Sequence, residues 1–328
     1  MLVSPQAEVK FISGEQSTGV PLRCPRCLSS IGCLPAGDAV DCYTCKTRLA
    51  CERGIWKALL PERAARYARF VEDYECIRTA EGRGSTSADY YLALPFRDLS
   101  GLHSGQWTMR ARTFRYIERK ILPRITTVTH NRLRILDLGA GNGWMSYRLA
   151  SQGHAPVAVD LITNDQDGLG AARHFEQRLP VLFPRFQAEV DNLPFGDGYF
   201  DLVIFNSSFH YSENYEKTFA EALRCTRRSG TVLIADTPWY SDELNGRRML
   251  EERRALFVKR FGFPSDELNS LEYLTDQRLD DLGKRFYLHW QIHEPYYGIR
   301  WQMRPLLAKL QRRRTPSRFR IYAAKAAQ

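Results

Sequence analysis

No apolar run in the sequence approaches the roughly 18 residues that a membrane-spanning helix requires, which argues against an integral helical membrane protein. The opening stretch, MLVSPQAEVKFISGEQ, carries acids and lacks an apolar h-region, so a secretory signal is not expected and a cytoplasmic location is. Internal repeats and low-complexity tracts are missing as well. At 328 residues the chain is long for one domain and comfortable for two, with the composition of an ordinary soluble globular protein.

Acids are also missing from one end. After Glu294 there are 9 Lys and Arg residues and no Asp or Glu. The formal net charge of +10 is therefore unevenly spread: residues 1–52 balance to 0, 53–134 carry +8, 135–294 carry −7 and 295–328 carry +9. Two basic segments flank an acidic middle, and any polyanion-binding role has to be placed on those segments rather than on the whole chain.

Four of the 8 cysteines read Cys24-Pro-Arg-Cys27 and Cys42-Tyr-Thr-Cys45. Each CxxC folds into a tight knuckle with two thiolates aimed at one centre, and two knuckles on a hairpin complete a tetrahedron, so the spacing predicts structural Zn2+ with no open coordination position. Paired disulfides are the alternative, disfavoured in a reducing compartment. Cys33, Cys51, Cys76 and Cys225 fall outside the pattern and are expected as small buried hydrophobes. The segment Leu49–Glu62 adds Arg53-Gly54-Ile55 and Leu59-Leu60-Pro61. Over about forty residues the chain thus resembles the Trm112-like zinc ribbons, a family that binds and activates methyltransferases; the resemblance implies a methyltransferase behind the ribbon.

From Pro61 to Phe70, Ala, Arg and aromatics alternate at helical spacing, and Glu81–Ser87 reads as a loop. A helix is predicted over 104–122, with Trp107, Ala111, Phe114, Ile117 and Ile121 on its core face and Arg110, Arg112, Arg115 and Arg119 on a solvated basic face. Beyond Arg134, short apolar runs alternate with helical stretches: strands are expected at 134–138, 156–160, 201–205, 231–236, 287–292 and 318–323. Such alternation builds a mainly parallel sheet covered on both faces.

The segment RILDLGAGNGWMSYRLA, 134–150, runs an apolar strand into Asp137, turns through Gly139, Gly141 and Gly143, and enters a helix near Trp144. Glycines allow close backbone approach, and a helix N-terminus offers free N–H groups. The dinucleotide pattern G-x-G-x-x-G fails, because its third glycine would fall on Trp144. An acid just before the turn repels a pyrophosphate and suits a ligand with an ammonium group. Asp160, at the end of the next strand, is placed to accept ribose hydroxyls. Farther on come Glu189-Val-Asp191-Asn-Leu-Pro-Phe195 and Gly198-Tyr-Phe-Asp201, then Asn206-Ser-Ser-Phe-His210.

With these motifs in order, residues of about 105–325 resemble the class I S-adenosylmethionine-dependent methyltransferases, near the group that includes ubiquinone and menaquinone biosynthesis enzymes. The resemblance implies a Rossmann-like α/β fold, a seven-stranded methyltransferase sheet, with a small N-terminal zinc-ribbon domain: ribbon at 1–62, a helical and loop linker at 63–104, and the methyltransferase domain at 105–328 with a basic insertion at 294–317. It implies that Asp137 and the Gly139-Ala140-Gly141-Asn142-Gly143 turn hold the donor's methionine end, and that Asp160 with Leu161 holds its ribose. Glu189 or Asp191, the latter preferred and followed by Asn192, lies near the adenine. Asn206 and Ser207 border the sulfonium. His210 is the expected general base on the same loop, beside Asn206, although transfer from a sulfonium is mainly a matter of alignment.

In this fold the 294–317 segment, with Arg300, Trp301, Arg304, Lys309, Arg312, Arg313 and Arg314, should rim the substrate mouth. Thr237-Pro238-Trp239-Tyr240 is a candidate wall or lid. Residues 300–314 also read as an amphipathic helix broken by Pro305, fit to touch anionic lipid, whereas Glu251–Arg254 reads as an exposed helix with internal ion pairs. The first reading of function is methyl transfer to an O or N nucleophile of an anionic small-molecule or lipid-like acceptor. RNA base methylation through the ribbon and basic rim is the second. A non-catalytic scaffold and an oxidoreductase rank lower, given the intact Asp137, Gly139, Gly141 and Asp160 and the failed dinucleotide pattern.

Overall fold

The computed structural model describes residues 19–126, 132–265 and 267–326, so the opening stretch read for a signal lies outside the described residues. Strands β1 (Pro21–Arg23) and β2 (Ser30–Cys33) form a hairpin; β3 (Ala39–Asp41), β4 (Arg48–Glu52) and β5 (Ile55–Lys57) form a meander. Three helices follow, α1 (Pro61–Ala80), α2 (Ala88–Ala93) and α3 (Ser104–Tyr116), the last passing through a π-helical turn at Ile117–Ile121 into α4 (Leu122–Thr126). Then come β6 (Arg134–Leu138), α5 (Trp144–Ser151), β7 (Ala155–Asp160), β8 (Arg185–Gln187), β9 (Phe200–Asn206), α6 (Tyr215–Cys225) and β10 (Thr226–Ala235). The chain closes with α7 (Glu243–Phe261), α8 (Asp276–Arg285), β11 (Gln291–His293), α9 (Ile299–Gln302), α10 (Arg304–Leu310) and β12 (Ile321–Lys325).

Seven strands lie in the order β11-β12-β10-β9-β6-β7-β8; β6 to β10 run parallel and β12 returns antiparallel. The sheet does not stop at β8. Strand β5 pairs with it in parallel, and β4 and β3 continue outward, so the expected seven-stranded sheet with a ribbon beside it is corrected to one sheet of ten strands. An uncovered β8 would expose a row of unpaired backbone groups. Instead Trp56 stands opposite Phe186 with ring centroids 6.2 Å apart, and the Ala58 N–H donates to the Gln187 carbonyl. Both rings are buried, a contribution of about 2 kcal/mol each.

Side-chain alternation sorts the core into two layers. Leu136, Leu138, Val157 and Val159 pack on one face together with the ribbon's Leu22, Ile31 and Leu49, while Ile135, Ala158, Leu202 and Ile204 pack on the other with Trp107 and Phe114. The N-terminal strands therefore share a core with the sheet. Of the cysteines outside the knuckles only Cys225 is buried; Cys51 is half-buried and Cys33 and Cys76 are exposed, correcting the expectation for those two.

The C-terminal ends of β6, β7, β9 and β10 meet at one edge. Ile321, at the start of β12, pairs with Ala235 and His293, so the chain between β11 and β12 folds over that same edge, as expected for the basic segment. Pro305 does not break a helix there but sits in the first turn of α10, where its missing N–H costs nothing. Leu306, Leu307 and Leu310 are exposed. The Glu251–Arg254 pairs also differ from expectation: Arg253 reaches Glu272 and Glu252 receives Arg314, joining α7 to other segments. No described helix is long and apolar enough to cross a membrane.

Candidate functional site

The two knuckles share one local geometry. The Leu28 N–H donates to the Cys24 carbonyl and the Lys46 N–H to the Cys42 carbonyl, with Leu28 at φ 64° and Lys46 at φ 59°. This brings the four sulfurs of Cys24, Cys27, Cys42 and Cys45 within 4.8 Å of one another, with Cys24–Cys45 at 3.5 Å and Cys27–Cys42 at 3.4 Å. These separations suit thiolates around a single ion at a metal–sulfur distance of about 2.3 Å and are far too long for disulfides. The residues thus fit zinc, held at the tip of the sheet extension.

The larger site lies at the C-terminal strand edge. Asp137 ends β6 fully buried, with one oxygen taking a 2.7 Å hydrogen bond from the Ser146 hydroxyl of α5. Burial pushes its carboxyl up to about 7, the neighbouring Asp160 adding to the rise and Ser146 opposing it. Gly139, at φ 72°, lets the turn pass so close to the next strand end that a Cβ there would lie 2.2 Å from the Ser208 Cβ. The Asn142 side-chain oxygen accepts the N–H of Trp144, the first residue of α5, in a local turn. Asp160 receives the Gly141 and Ile162 N–H groups at 2.8 Å, one on each oxygen. Each oxygen keeps a lone pair for a ribose hydroxyl, and burial raises this carboxyl as well.

These side chains line one cavity, joined by Ala140, Leu161, Asp191, Asn206 and Ser207. Of the residues expected at the donor site, Gly143 and Asn192 stand outside it. Gly143 precedes α5 at φ 77°, and the Asn192 amide donates to the Pro25 carbonyl in the first knuckle. Asp191 lines the cavity and pairs with Lys217 at 2.9 Å, while Glu189 is gripped by Arg63 and the Tyr67 hydroxyl. An acidic, glycine-floored cavity with a buried carboxylate on β6 and a hydroxyl-accepting carboxylate on the adjacent β7 fits the ammonium and ribose of S-adenosylmethionine.

The roof of this cavity is α1, most of which falls in the segment expected to be a linker. Tyr67, Phe70, Tyr74 and Arg78 line it, spaced along one helix face, and Arg78 pairs with Asp167 across the opening. The same spacing in the sequence was the signal available. Trp107 and Arg110 of α3 also line it. The expected solvated face of α3 is corrected here: Arg110 and Arg112 turn inward, whereas Arg115 and Arg119 are exposed. Arg110 lies over the Trp107 ring at 4.9 Å and reaches the Ser207 hydroxyl at 3.4 Å.

A second cleft of about 1070 Å³ adjoins the first, with Arg110 and Ser207 belonging to both walls. Asp236, Tyr297, Arg300, Trp301, Arg304 and Phe319 line its remainder. The basic segment therefore rims this cleft. His210 enters neither wall: it is buried beside Tyr211 and in the field of Glu272 and Arg253, and burial pulls its imidazole down to about 4. The structure thus does not bring the expected base to the site. Nor do Trp239 and Tyr240 form a wall; both are buried, the Trp239 indole N–H donating to Asp276.

Residues 136–234 match the methyltransferase domain family. The malonyl-[acyl-carrier protein] O-methyltransferase of Geobacter sulfurreducens is 37% identical over 106 residues, 31% of this chain and 38% of that protein. The sarcosine/dimethylglycine N-methyltransferase of Halorhodospira halochloris is 30% identical over 109 residues, 33% of this chain and 39% of that protein. The chain thus spans under two fifths of the length of these relatives. A chain in the complex between the Haloferax volcanii Trm112 methyltransferase activator and a methyltransferase aligns at TM-score 0.47 with 14% identity, covering 70% of this chain and 92% of that one.

Proposed function

We propose that the protein transfers a methyl group from S-adenosylmethionine to an oxygen or nitrogen nucleophile of a small anionic acceptor, with a structural zinc ion in its ribbon. The observation that carries this reading is the pairing of Asp137 and Asp160 in one cavity that meets, at Arg110 and Ser207, a cleft of different character. Bound there, the donor supplies an electrophilic methyl group on a positively charged sulfur. The chain's own part is to hold the ammonium with Asp137, the ribose with Asp160, and the reacting end at Asn206, whose buried Oδ1 has no hydrogen-bond partner in the protein. Transfer then depends on alignment. The match to a methyltransferase domain and the O- and N-methyltransferase relatives support the reaction class.

RNA is the competing acceptor, favoured by the basic rim and the zinc knuckles. The cleft's walls of Tyr297, Trp301 and Phe319 favour a small molecule. Calorimetric titration of zinc-loaded protein with S-adenosylmethionine is the test. Saturable binding that weakens roughly 30-fold or more in Asp160→Ala, which removes both ribose contacts, is the expected result. No binding by the wild-type protein rejects the enzyme reading, and RNA affinity that falls steeply with salt would reassign the acceptor.

A further inference from the structure

Beside the donor cavity, the second cleft gathers polar atoms that the protein leaves without partners. Asp236, just past β10, has φ 51°, and Ser207, just past the neighbouring β9, has φ 58°. Both are non-glycine residues held in the left-handed region where the two cavities meet, a cost that concentrates at functional positions. Asp236 Oδ1 accepts a 2.5 Å hydrogen bond from the Thr113 hydroxyl, which is also 2.8 Å from the Tyr297 hydroxyl. Its Oδ2 is buried with no partner. On the opposite wall the Arg304 guanidinium lies 3.9 Å over the Trp301 ring, and its Nη1 is also buried and unpartnered. Neither Arg110 nor Arg304 has a carboxylate within ion-pair distance among the described residues, whereas Arg63, Arg66 and Arg78 around the donor cavity are all paired. Burying a cation or a carboxylate oxygen without a partner is costly unless a ligand completes it.

We propose that this cleft is the acceptor site and that it takes a small apolar molecule, aromatic by preference, bearing a carboxylate for Arg304 and a hydroxyl or amine for Asp236. The proposal rests on the methyl-transfer reading and names its second substrate class. In the reaction the acceptor heteroatom's lone pair bonds to the methyl carbon, and the carbon–sulfur bond breaks with its electron pair left on sulfur. The heteroatom's proton passes to Asp236 Oδ2. Burial raises the Asp236 carboxyl above its ordinary value, against the Thr113 hydrogen bond, Arg110 and the Tyr297 hydroxyl, so it takes up a proton more readily than an exposed carboxylate. The volume, about 1070 Å³, admits an acceptor of many heavy atoms, and the Trp301–Phe319 pair, stacked with centroids 5.2 Å apart, offers it a flat wall.

The test uses the full chain saturated with S-adenosylhomocysteine and two probes, para-hydroxy-meta-nitrobenzoate and the corresponding neutral amide, whose phenol ionisation is followed by visible absorbance. The acid is expected to bind roughly tenfold to hundredfold more tightly than the amide, and Arg304→Met to remove that preference. In Asp236→Asn the acid should still bind, with the bound phenol ionising about one unit lower than in the wild type because a neighbouring negative charge is gone. Equal affinity for acid and amide, or a phenol that ionises identically in both proteins, overturns the proposal. S-adenosylhomocysteine affinity, measured on the same samples, reports folding of the variants. Its absence in the wild type rejects the methyl-transfer reading itself, whereas its presence without an acid preference rejects the acceptor site alone.

Discussion

The donor cavity and the acceptor cleft share Arg110 and Ser207 but treat charge in opposite ways. Around the donor cavity three α1 arginines neutralise carboxylates of its wall: Arg63 pairs with Glu189, Arg66 with Glu213 and Arg78 with Asp167. The carboxylates left over are Asp137 and Asp160, so the cavity presents acid to its ligand. In the acceptor cleft the surplus is cationic, with Arg110, Arg300 and Arg304 free of ion pairs among the described residues and Asp236 the one acid in the wall. Surplus charge of one sign is a specification of the ligand, because a fully paired pocket has nothing left to offer one. On the proposed reading the two cavities would select ligands of opposite polarity that meet at Ser207.

The two sites also differ in their support, and removing the metal should break them unequally. The donor loop at 189–192 is tied to the first knuckle through Asn192 and Pro25, and Arg26 of that knuckle pairs with Glu62 at the start of α1. Among the described residues the acceptor cleft shows no hydrogen bond or ion pair to the knuckles. Structural zinc sites contribute on the order of 10 kcal/mol of binding energy that is folding energy, so the Cys42→Ser, Cys45→Ser double variant should lose its zinc. Its unfolding temperature should fall by roughly 10 °C or more, with donor affinity falling alongside. Metal analysis and calorimetry check both; a variant that keeps one zinc per chain and its melting temperature removes zinc from the account.

Protonation should sharpen the contrast on the donor side. An ammonium requires Asp137 to be ionised, and burial holds that carboxyl at about 7 in the free protein. Because the folded value is raised, the ionised form is lost as pH falls through it. Donor affinity should therefore drop about tenfold per unit from pH 7 to 5 and level off above 7. Asp137→Asn should bind weakly at every pH and show no slope. Calorimetric titration across that range decides it: a flat wild-type profile separates Asp137 from the ammonium.

The parts of this arrangement that were legible in the sequence are those set by local chain chemistry. Apolar runs with Asp137, Asp160 and Asn206 at or next to their C-terminal ends mark β6, β7 and β9, and the end of a strand is where a polar side chain reaches the sheet edge. The knuckles are legible because two residues of spacing fix two sulfurs. Strand β8, only 3 residues long, carries no such pattern, and its pairing with β5 depends on Trp56 meeting Phe186 across 130 positions of chain. Arg110 reads as solvated because the Ser207 hydroxyl it reaches lies 97 positions away in the chain. The aromatic face of α1 was visible at helical spacing, but what a face covers is a tertiary fact.

His210 shows where such reading misleads and gives the smallest expected effect. It stands four residues after Asn206, yet the 3₁₀ turn at Phe209–Tyr211 carries it into the layer beneath the cavities, near Glu272 and Arg253. Its imidazole is buried and neutral, held at about 4 against 6.5 for the free side chain. The unfolded chain therefore binds its proton first as pH falls, and folding stability is lost progressively below 6.5. Between pH 6.5 and 5.5 the loss from this one group is about 1 kcal/mol. His210→Asn should flatten that part of the stability profile in denaturant titrations. Because the residue touches neither cavity, methyl transfer at pH 7.5 should stay within about twofold of the wild type, far from the 10²–10⁴ that loss of a general base costs. A large fall in turnover with unchanged stability would bring His210 back to the acceptor and erase the boundary drawn here between the charged walls and the layer that supports them.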